Sequence, residues 1–156
     1  MARLRSIRRP LRRFGEVGGH RRALVAEAVA WLWLARLALI LIPFPTIAKR
    51  LGTFVPPSDE RAVRARTRTA QAELAAEIGW AVTRSARYVP FNAVCLPQAM
   101  AARMMLKRRG VASVMHFGAA KGKDKPLDAH AWLDAAGVEV TGYPVAPGFA
   151  EIGCFV

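Results

Sequence analysis

The chain has 156 residues, of which 53% are hydrophobic and 22% charged, and its formal net charge is +13. This length and apolar share predict one packed domain and exclude a globally disordered chain. Two cysteines are too few for a disulfide framework, which excludes a small disulfide-rich secreted protein and predicts a cytoplasmic one. The three histidines and two cysteines lack metal-ligand spacing, and no nucleotide-binding glycine motif is present, so neither a metal nor a cofactor is expected.

Residues 1–20 are predicted to form a flexible basic arm. Residues 1–22 hold eight arginines and a single acid, Glu16, which gives this segment a charge of +7. Such a field attracts polyanions, including an anionic membrane surface or an acidic peptide. We therefore expect weak contact with a membrane surface and a location that is cytoplasmic or peripheral at the inner membrane. No nucleic-acid partner is expected, because the chain lacks the aromatics and motifs of nucleic-acid-binding folds.

Residues 21–57 are predicted to comprise an apolar helix, over 21–42, and a linker. Glu27 and Arg36 interrupt the apolar run, and Pro43 ends it. A transmembrane span needs about 20 apolar residues without a central charge, so these charges favour a buried or membrane-grazing helix over a span. A secretory signal is a third interpretation, although no small-residue cleavage site follows the apolar run.

Residues 58–156 are predicted to form the main part of the domain. The double proline at 56–57 marks the boundary before it. A Ser-Asp pair at 58–59 can cap a helix over residues 61–87. A further helix is predicted over residues 95–109, where cations and then a glycine mark its end.

The pattern then changes to the two-residue period of strands. Strands are predicted over residues 111–118, 129–134 and 138–142, with a polar loop between the first two and a tight turn between the last two. Residues 149–156 are predicted to form an edge strand. Helices followed by antiparallel strands predict the α+β class, with N-terminal helices before a small antiparallel sheet.

Cys95 and His130 carry the predicted chemistry. Cys95 starts a helix, and His130 lies on a strand 35 residues later. The attacking species in cysteine enzymes is the thiolate, which the positive end of a helix and a nearby imidazolium both stabilise. This order of residues predicts a catalytic nucleophile and its general base.

Two neighbours of this pair are weaker candidates. Gln98 lies one helical turn after Cys95 and could support the oxyanion, although a surface or packing role fits better. Trp132 lies two residues from His130 on the same strand face. It could shield the pair from water or simply pack in the core.

Two segments carry a resemblance to a known family. One runs from Cys95-Leu96 and Gln98-Ala99 to Lys107-Arg108-Arg109-Gly110, and the other from Ala129-His130-Ala131-Trp132-Leu133-Asp134 to Val140-Thr141-Gly142. Together they resemble the leader peptidase of lasso peptide biosynthesis, a transglutaminase-like cysteine protease related to the microcin-processing enzymes. The resemblance covers residues 21–156 and implies a transglutaminase-like, papain-like catalytic core over residues 58–156.

The resemblance implies a bacterial hydrolase that removes the leader from a ribosomally made lasso peptide precursor. Cys95 would form a thioester with the leader, and His130 would act as the general base. The implied partners are the precursor peptide with its leader, a separate leader-recognition protein and an ATP-dependent lasso cyclase.

A third member of the site would orient the histidine. The resemblance implies an orienting acid on the strand paired with the histidine, 12 residues after it, but that position is Gly142. Asp128 lies two residues before His130 on the same strand face and is the tentative orienting group. A backbone carbonyl, Thr141 or a water could take this role instead.

Three other functions stay open at this point. A transglutaminase-like acyl or amide transfer enzyme would share the thioester and differ in the acceptor. A non-enzymatic basic module would use residues 1–22 to bind a membrane or a peptide. An inactive member of the family is the third, because the expected acid is missing.

Overall fold

The computed structural model describes residues 8–122 and 126–156, and this part of the chain contains five helices and five strands. The helices are α1 (Arg8–Leu41), α2 (Phe44–Leu51), α3 (Glu60–Arg66), α4 (Ala72–Ser85) and α5 (Cys95–Lys107). The strands are β1 (Phe54–Val55), β2 (Ser113–Ala120), β3 (Asp128–Ala135), β4 (Val138–Thr141) and β5 (Ala150–Phe155). The predicted α+β class, with helices before a small antiparallel sheet, is confirmed.

The first helix is longer than the sequence pattern predicts. It begins at Arg8 rather than at residue 21 and continues to Leu41, so it overlaps the segment expected to be a flexible arm. The helical path breaks at Pro43, between α1 and α2, because proline lacks the N–H that a continuing helix needs. The division of the chain into three domains stays a prediction.

Residues 61–87 form two helices rather than the single helix predicted. The predicted start is close, because the Asp59 carboxylate accepts a hydrogen bond from the Arg61 N–H at 2.9 Å and caps α3. The chain leaves the helical path before α4, where the Thr69 N–H donates to the Ala136 carbonyl in the β3–β4 turn at 3.3 Å. This tertiary contact outweighs the helical period of the sequence.

The five strands form one antiparallel sheet in the order β1-β5-β2-β3-β4. The β3–β4 turn has positive φ at Ala136 (+52°) and Gly137 (+76°), which is typical of the tight hairpin that the sequence predicts. The prediction that the last strand lies at an edge is wrong. β5 lies between β2 and the two-residue β1, which itself falls in the predicted linker.

Both faces of the sheet are covered. The larger core lies between the sheet and α1, α4 and α5, and it includes Met115 of β2 and Leu133 of β3. A smaller core on the opposite face packs α3 against Val114. Because successive side chains of a strand point to opposite faces, His130 and Trp132 lie on the α3 side of the sheet.

Contacts of Arg103 fix how α5 lies over the sheet. Its guanidinium donates to the carbonyls of Ser113, at 2.8 Å, and Phe155, at 3.2 Å, near the end of the sheet where β2 starts and β3 finishes. Cys95 lies about 12 Å before Arg103 at 1.5 Å per helical residue. The start of α5 therefore points towards the opposite end of the sheet, which is the end that holds His130.

Candidate active site

Cys95 is the first residue of α5, as the sequence predicts, and its side chain is half-buried. The residue before it, Val94, has an extended backbone, and no side chain caps the start of the helix. The first N–H groups of α5 therefore keep their capacity to donate, and they form the positive end of the helix dipole. This environment favours an anionic group bound at the start of α5.

Gln98 holds the segment that leads into α5. Its side-chain Nε2 donates to the Ala93 carbonyl at 2.6 Å, and the side chain is half-buried. This bond ties the residues before Cys95 to the first turn of the helix. The contact of Gln98 therefore positions the residues before Cys95. An oxyanion role for Gln98 stays a prediction.

His130 is half-buried near the start of β3, and its ring makes one short hydrogen bond. The Nε2 atom lies 2.6 Å from the carbonyl oxygen of Gly142. Because a carbonyl only accepts, Nε2 must carry the proton, and the neutral ring then keeps its lone pair on Nδ1. The bond thus fixes the tautomer in which Nδ1 can act as a base.

The backbone carbonyl of Gly142 contacts His130 at the position where the resemblance implies an orienting acid. The register of the pairs Asp134–Glu139 and Ala135–Val138 would pair Leu133 with Val140, whereas a bulge pairs it with Thr141. The φ of Gly142 is +84°, and a Cβ there would lie 2.5 Å from the Ala131 carbonyl oxygen. No side chain fits this position without movement of β3, so the backbone carbonyl rather than a carboxylate meets the histidine.

The other orienting candidates make no such contact. Asp128 is exposed at the first residue of β3, and within residues 8–122 and 126–156 it forms no hydrogen bond with His130. The Thr141 hydroxyl is buried and has no hydrogen-bond partner in that part of the chain. A role for Asp128 stays a prediction.

Two aromatic rings flank His130. Trp132 is buried, and its ring stacks on the imidazole with a centroid distance of 5.9 Å and an angle of 21°. Phe149 approaches the same imidazole with a centroid distance of 5.5 Å. These rings restrict the movement of His130 and its access to water. Sequence reasoning missed Phe149, because it follows a Pro/Gly-rich loop and no local pattern pairs it with β3.

On its other side, Trp132 stacks on a second histidine, His116, at 5.4 Å and 10°. His116 is buried between two carboxylates: its Nδ1 contacts Glu151, and its Nε2 lies 3.2 Å from Asp134 in an ion-pair contact. Burial acts to lower the pKa of His116, but the two carboxylates outweigh burial and raise it. The sequence predicts His116 as a strand histidine without a catalytic role, and no local signal reveals its partners.

Tyr143 completes this polar cluster. Its hydroxyl donates to Asp134 at 2.6 Å. Burial raises the pKa of Tyr143, and the neighbouring Asp134 raises it further, so the hydroxyl stays protonated and continues to donate. Asp134, which lies four residues after His130 on β3, thus has His116 and Tyr143 as its partners.

The donor atoms of His116, Glu151 and Cys154 lie within 4.8 Å of one another, which is close enough to consider a metal site. The His116 ring is, however, already in direct contact with Glu151. Burial raises the pKa of Cys154, and its thiol points at the Val55 carbonyl, 3.6 Å away. These contacts fit a buried ion-pair cluster with a neutral thiol better than a set of metal ligands.

Most of the chain is similar to one protein family. The sequence profile described as Transglutaminase-like superfamily matches residues 38–153, about three quarters of the chain. The chain belongs to the transglutaminase-like superfamily. No curated protein and no solved structure matched the chain. Members of the superfamily are typically cysteine-dependent enzymes with protease or acyl-transfer activity, and the match includes both Cys95 and His130.

In this transglutaminase-like domain, the start of α5 with Cys95 points towards the end of the sheet that holds His130. Within the described residues, the Cys95 sulfur forms no hydrogen bond with the His130 ring. β4 pairs with Leu133–Ala135 of β3, and Gly142, which follows β4, lies beside Ala131 and contacts the His130 ring. Catalytic hydrogen bonds are often long or unformed before substrate binds, so this arrangement does not exclude the pair.

Proposed function

We propose that this chain is a cysteine peptidase that removes the leader from a lasso peptide precursor, with Cys95 as the nucleophile and His130 as the general base. The observation that carries the proposal is the hydrogen bond from His130 Nε2 to the Gly142 carbonyl. It leaves Nδ1 as the basic atom of a ring that two aromatic side chains hold in place.

The mechanism follows from these positions. His130 Nδ1 takes the proton of the Cys95 thiol, and the thiolate attacks the scissile carbonyl carbon. Backbone N–H groups at the start of α5 donate to the oxyanion of the tetrahedral intermediate. The leaving amine takes a proton from His130, and water then hydrolyses the thioester and releases the carboxylate and the thiol.

The second cysteine is the poorer nucleophile. Cys154 is fully buried in the core on the α3 side, and burial raises its pKa, so it stays a neutral thiol. Cys95 is half-buried at a helix start, where free backbone N–H groups can donate to an anionic intermediate. The closeness of Cys154 to His116 therefore supports a structural role rather than a catalytic pair.

The leader specificity rests on the resemblance of residues 95–110 and 129–142 to lasso leader peptidases. It brings with it the proposed partners, namely the precursor peptide, a separate leader-recognition protein and an ATP-dependent cyclase. A cytoplasmic location belongs to the same proposal, because precursor, cyclase and ATP would meet there.

A transglutaminase-like acyl transfer is the second candidate, because the superfamily includes both outcomes of a thioester. The rings of Trp132 and Phe149 limit water around His130, which favours an amine acceptor once a thioester has formed. The two candidates differ in the product: a free carboxylate indicates hydrolysis, and a new amide indicates transfer.

The test is mass spectrometry of a candidate precursor incubated with the leader-recognition protein and the purified enzyme. Wild type and Cys154→Ser should cleave at one bond, whereas Cys95→Ser and His130→Gln should lose at least about 10³-fold in rate. Cys154→Ser is the matched control, and circular dichroism confirms that each variant is folded. Cleavage by folded Cys95→Ser at the wild-type rate would refute the assignment of the nucleophile.

A further inference from the structure

The end of α1 and the start of α2 expose an unusual amount of apolar surface. We call it the elbow face; it consists of large side chains that are 42–74% exposed, namely Trp33, Leu34, Leu37, Ile40, Leu41 and Phe44. Their spacing places most of them on one side of α1. Contiguous exposed apolar patches on a monomer usually mark an interaction surface.

The opposite side of the same helix explains why the elbow face stays uncovered. Leu24, Ala28, Leu32 and Ala35 recur at helical spacing and are buried in the main core. Within the most apolar 18-residue window of Gly18–Leu41, only 22% of the residues are buried in the structure. The helix therefore packs with one side only and leaves its other side exposed.

Basic side chains lie next to the elbow face. Arg36 on α1 is half-buried, and Lys49 and Arg50 are exposed in the last turn of α2. The inward side chains of α2, Ile47 and Leu51, are buried, so α2 directs its cations outward. Apolar and aromatic residues beside lysine and arginine are typical of helices that lie in a membrane interface.

An apolar groove of about 650 Å³ adjoins the elbow face between α1, α2 and α5. Leu34, Ile42 and Met104 line it, while Arg50 and Lys107 contribute cations. Apolar walls with cations at the opening match the two parts of an anionic lipid, its acyl chain and its headgroup. This combination favours lipid over a second protein as the occupant.

A contact with α5 argues against α1 crossing a bilayer. The Arg109 guanidinium binds the Glu27 carboxylate through two hydrogen bonds, of 2.6 and 3.1 Å, and Arg108 lies 3.4 Å away. Insertion of the whole helix would break this ion pair and expose the core that α1 covers. Only the elbow face, beyond the anchored part of α1, is free to enter the interface.

We propose that the elbow face docks this protein onto the surface of an anionic lipid bilayer, with Trp33, Ile40 and Leu41 in the interface and Lys49 and Arg50 at the headgroups. The contact differs from the one expected of the arginine-rich residues 1–22. Arg21 lies near the middle of α1, about 24 Å from Leu37 along the helix. The proposal does not depend on the peptidase activity.

The experiment is flotation of the full-length protein with vesicles of phosphatidylcholine alone or with 30% phosphatidylglycerol. Wild type should bind the anionic vesicles at least about tenfold more tightly. The variants Ile40→Glu/Leu41→Glu and Lys49→Glu/Arg50→Glu should each lose at least about tenfold. The matched control Val63→Glu/Ile152→Glu changes two exposed apolar residues outside the elbow face, on α3 (50% exposed) and β5 (63% exposed), and should bind like wild type.

Three outcomes would overturn the proposal. Equal binding by Ile40→Glu/Leu41→Glu and wild type would assign any lipid contact to the basic segment. Equal binding to neutral and anionic vesicles would remove the role of the cations. Absence of vesicle binding, with a dimer that Ile40→Glu/Leu41→Glu converts to a monomer by light scattering, would assign the elbow face to a second copy of the chain.

Discussion

At the scale of single residues, Gly142 determines which group can orient His130. A side chain there would need a strained positive φ and would collide with the Ala131 carbonyl. Gly142→Asp restores the expected acid in the sequence, yet we expect it to lower the free energy of unfolding by about 2–4 kcal/mol and not to raise activity. Urea denaturation and kcat/KM measure the two effects.

Gly148 supplies the control for this prediction. Its φ of +97° is also positive, but a Cβ there would meet nothing within 4 Å. Gly148→Asp should therefore cost only about 1 kcal/mol, the penalty of the backbone conformation alone. A stable and faster Gly142→Asp enzyme would contradict orientation by the carbonyl.

The residues of the site differ in how well the sequence predicts them. Cys95 and His130 have local signals, a helix start and an alternating strand, and the hairpin turn even locates position 142 next to the histidine. The sequence alone leaves a backbone carbonyl as one of several candidates for orienting His130. The bulge in β4 and the positive φ of Gly142, which select the carbonyl, are features of the backbone conformation and leave no pattern in the sequence. No sequence pattern indicates that Phe149 belongs to the site, since its contact with His130 forms only when β5 joins the sheet.

At the scale of the elements, His116 connects three strands. It lies on β2, and its carboxylate partners come from β3 (Asp134) and β5 (Glu151). Removing a buried ion-pair partner leaves the remaining charges uncompensated. We expect His116→Gln to lower the free energy of unfolding by about 3–5 kcal/mol at pH 6, measured by urea denaturation with tryptophan fluorescence.

The pH dependence of this effect has a definite sign. The folded-state pKa of His116 is raised above its ordinary value of 6.5, so its stabilising effect is complete below pH 6.5 and is lost as the pH rises through the folded-state pKa. The gap in stability between wild type and His116→Gln should therefore narrow from pH 6 to pH 9. His20→Gln is the control, because His20 forms an exposed pair with Glu77 and should change little. A gap independent of pH would disprove the charged state of His116.

The ion pair of Glu27 and Arg109 joins α1 to α5. Its hydrogen bond to Arg109 lowers the pKa of Glu27, although burial opposes this. The pair therefore stabilises the fold above about pH 4.5 and loses this effect as the pH falls through the lowered pKa. A double-mutant cycle of Glu27→Gln and Arg109→Gln should give a coupling of about 1–2 kcal/mol at pH 7 and a smaller one at pH 3.5. An equal coupling at both values would contradict the ion pair.

At the scale of the whole molecule, the sequence predicts the class of the fold but not the order of the strands. Periodicity identifies strands one by one, and the tight turn at 136–137 pairs β3 with β4. The insertion of β5 between β1 and β2 depends on contacts across nearly the whole chain. A two-residue strand such as β1, inside a segment that reads as a linker, is too short for any periodicity to reveal.

Arg103 is another residue whose contacts the sequence does not predict. In sequence it is one charge in an apolar helix, whereas in the structure it is half-buried and donates to the carbonyls of Leu51, Ser113 and Phe155 at 2.6–3.2 Å. One guanidinium thus joins α5 to the end of α2 and to two strands. Burial lowers the pKa of Arg103, but the group stays charged because arginine is always protonated in proteins.

We expect Arg103→Lys to lower the free energy of unfolding by about 2–4 kcal/mol, because a single ammonium cannot reach three carbonyls arranged for a planar fork. Urea denaturation measures this loss. Arg64→Lys, on the exposed side of α3, is the matched control and should change stability by less than about 0.5 kcal/mol. Equal stability of the two variants would mean that solvent or backbone movement satisfies the three carbonyls without Arg103, and that hydrophobic contacts alone hold α2, α5 and the sheet together.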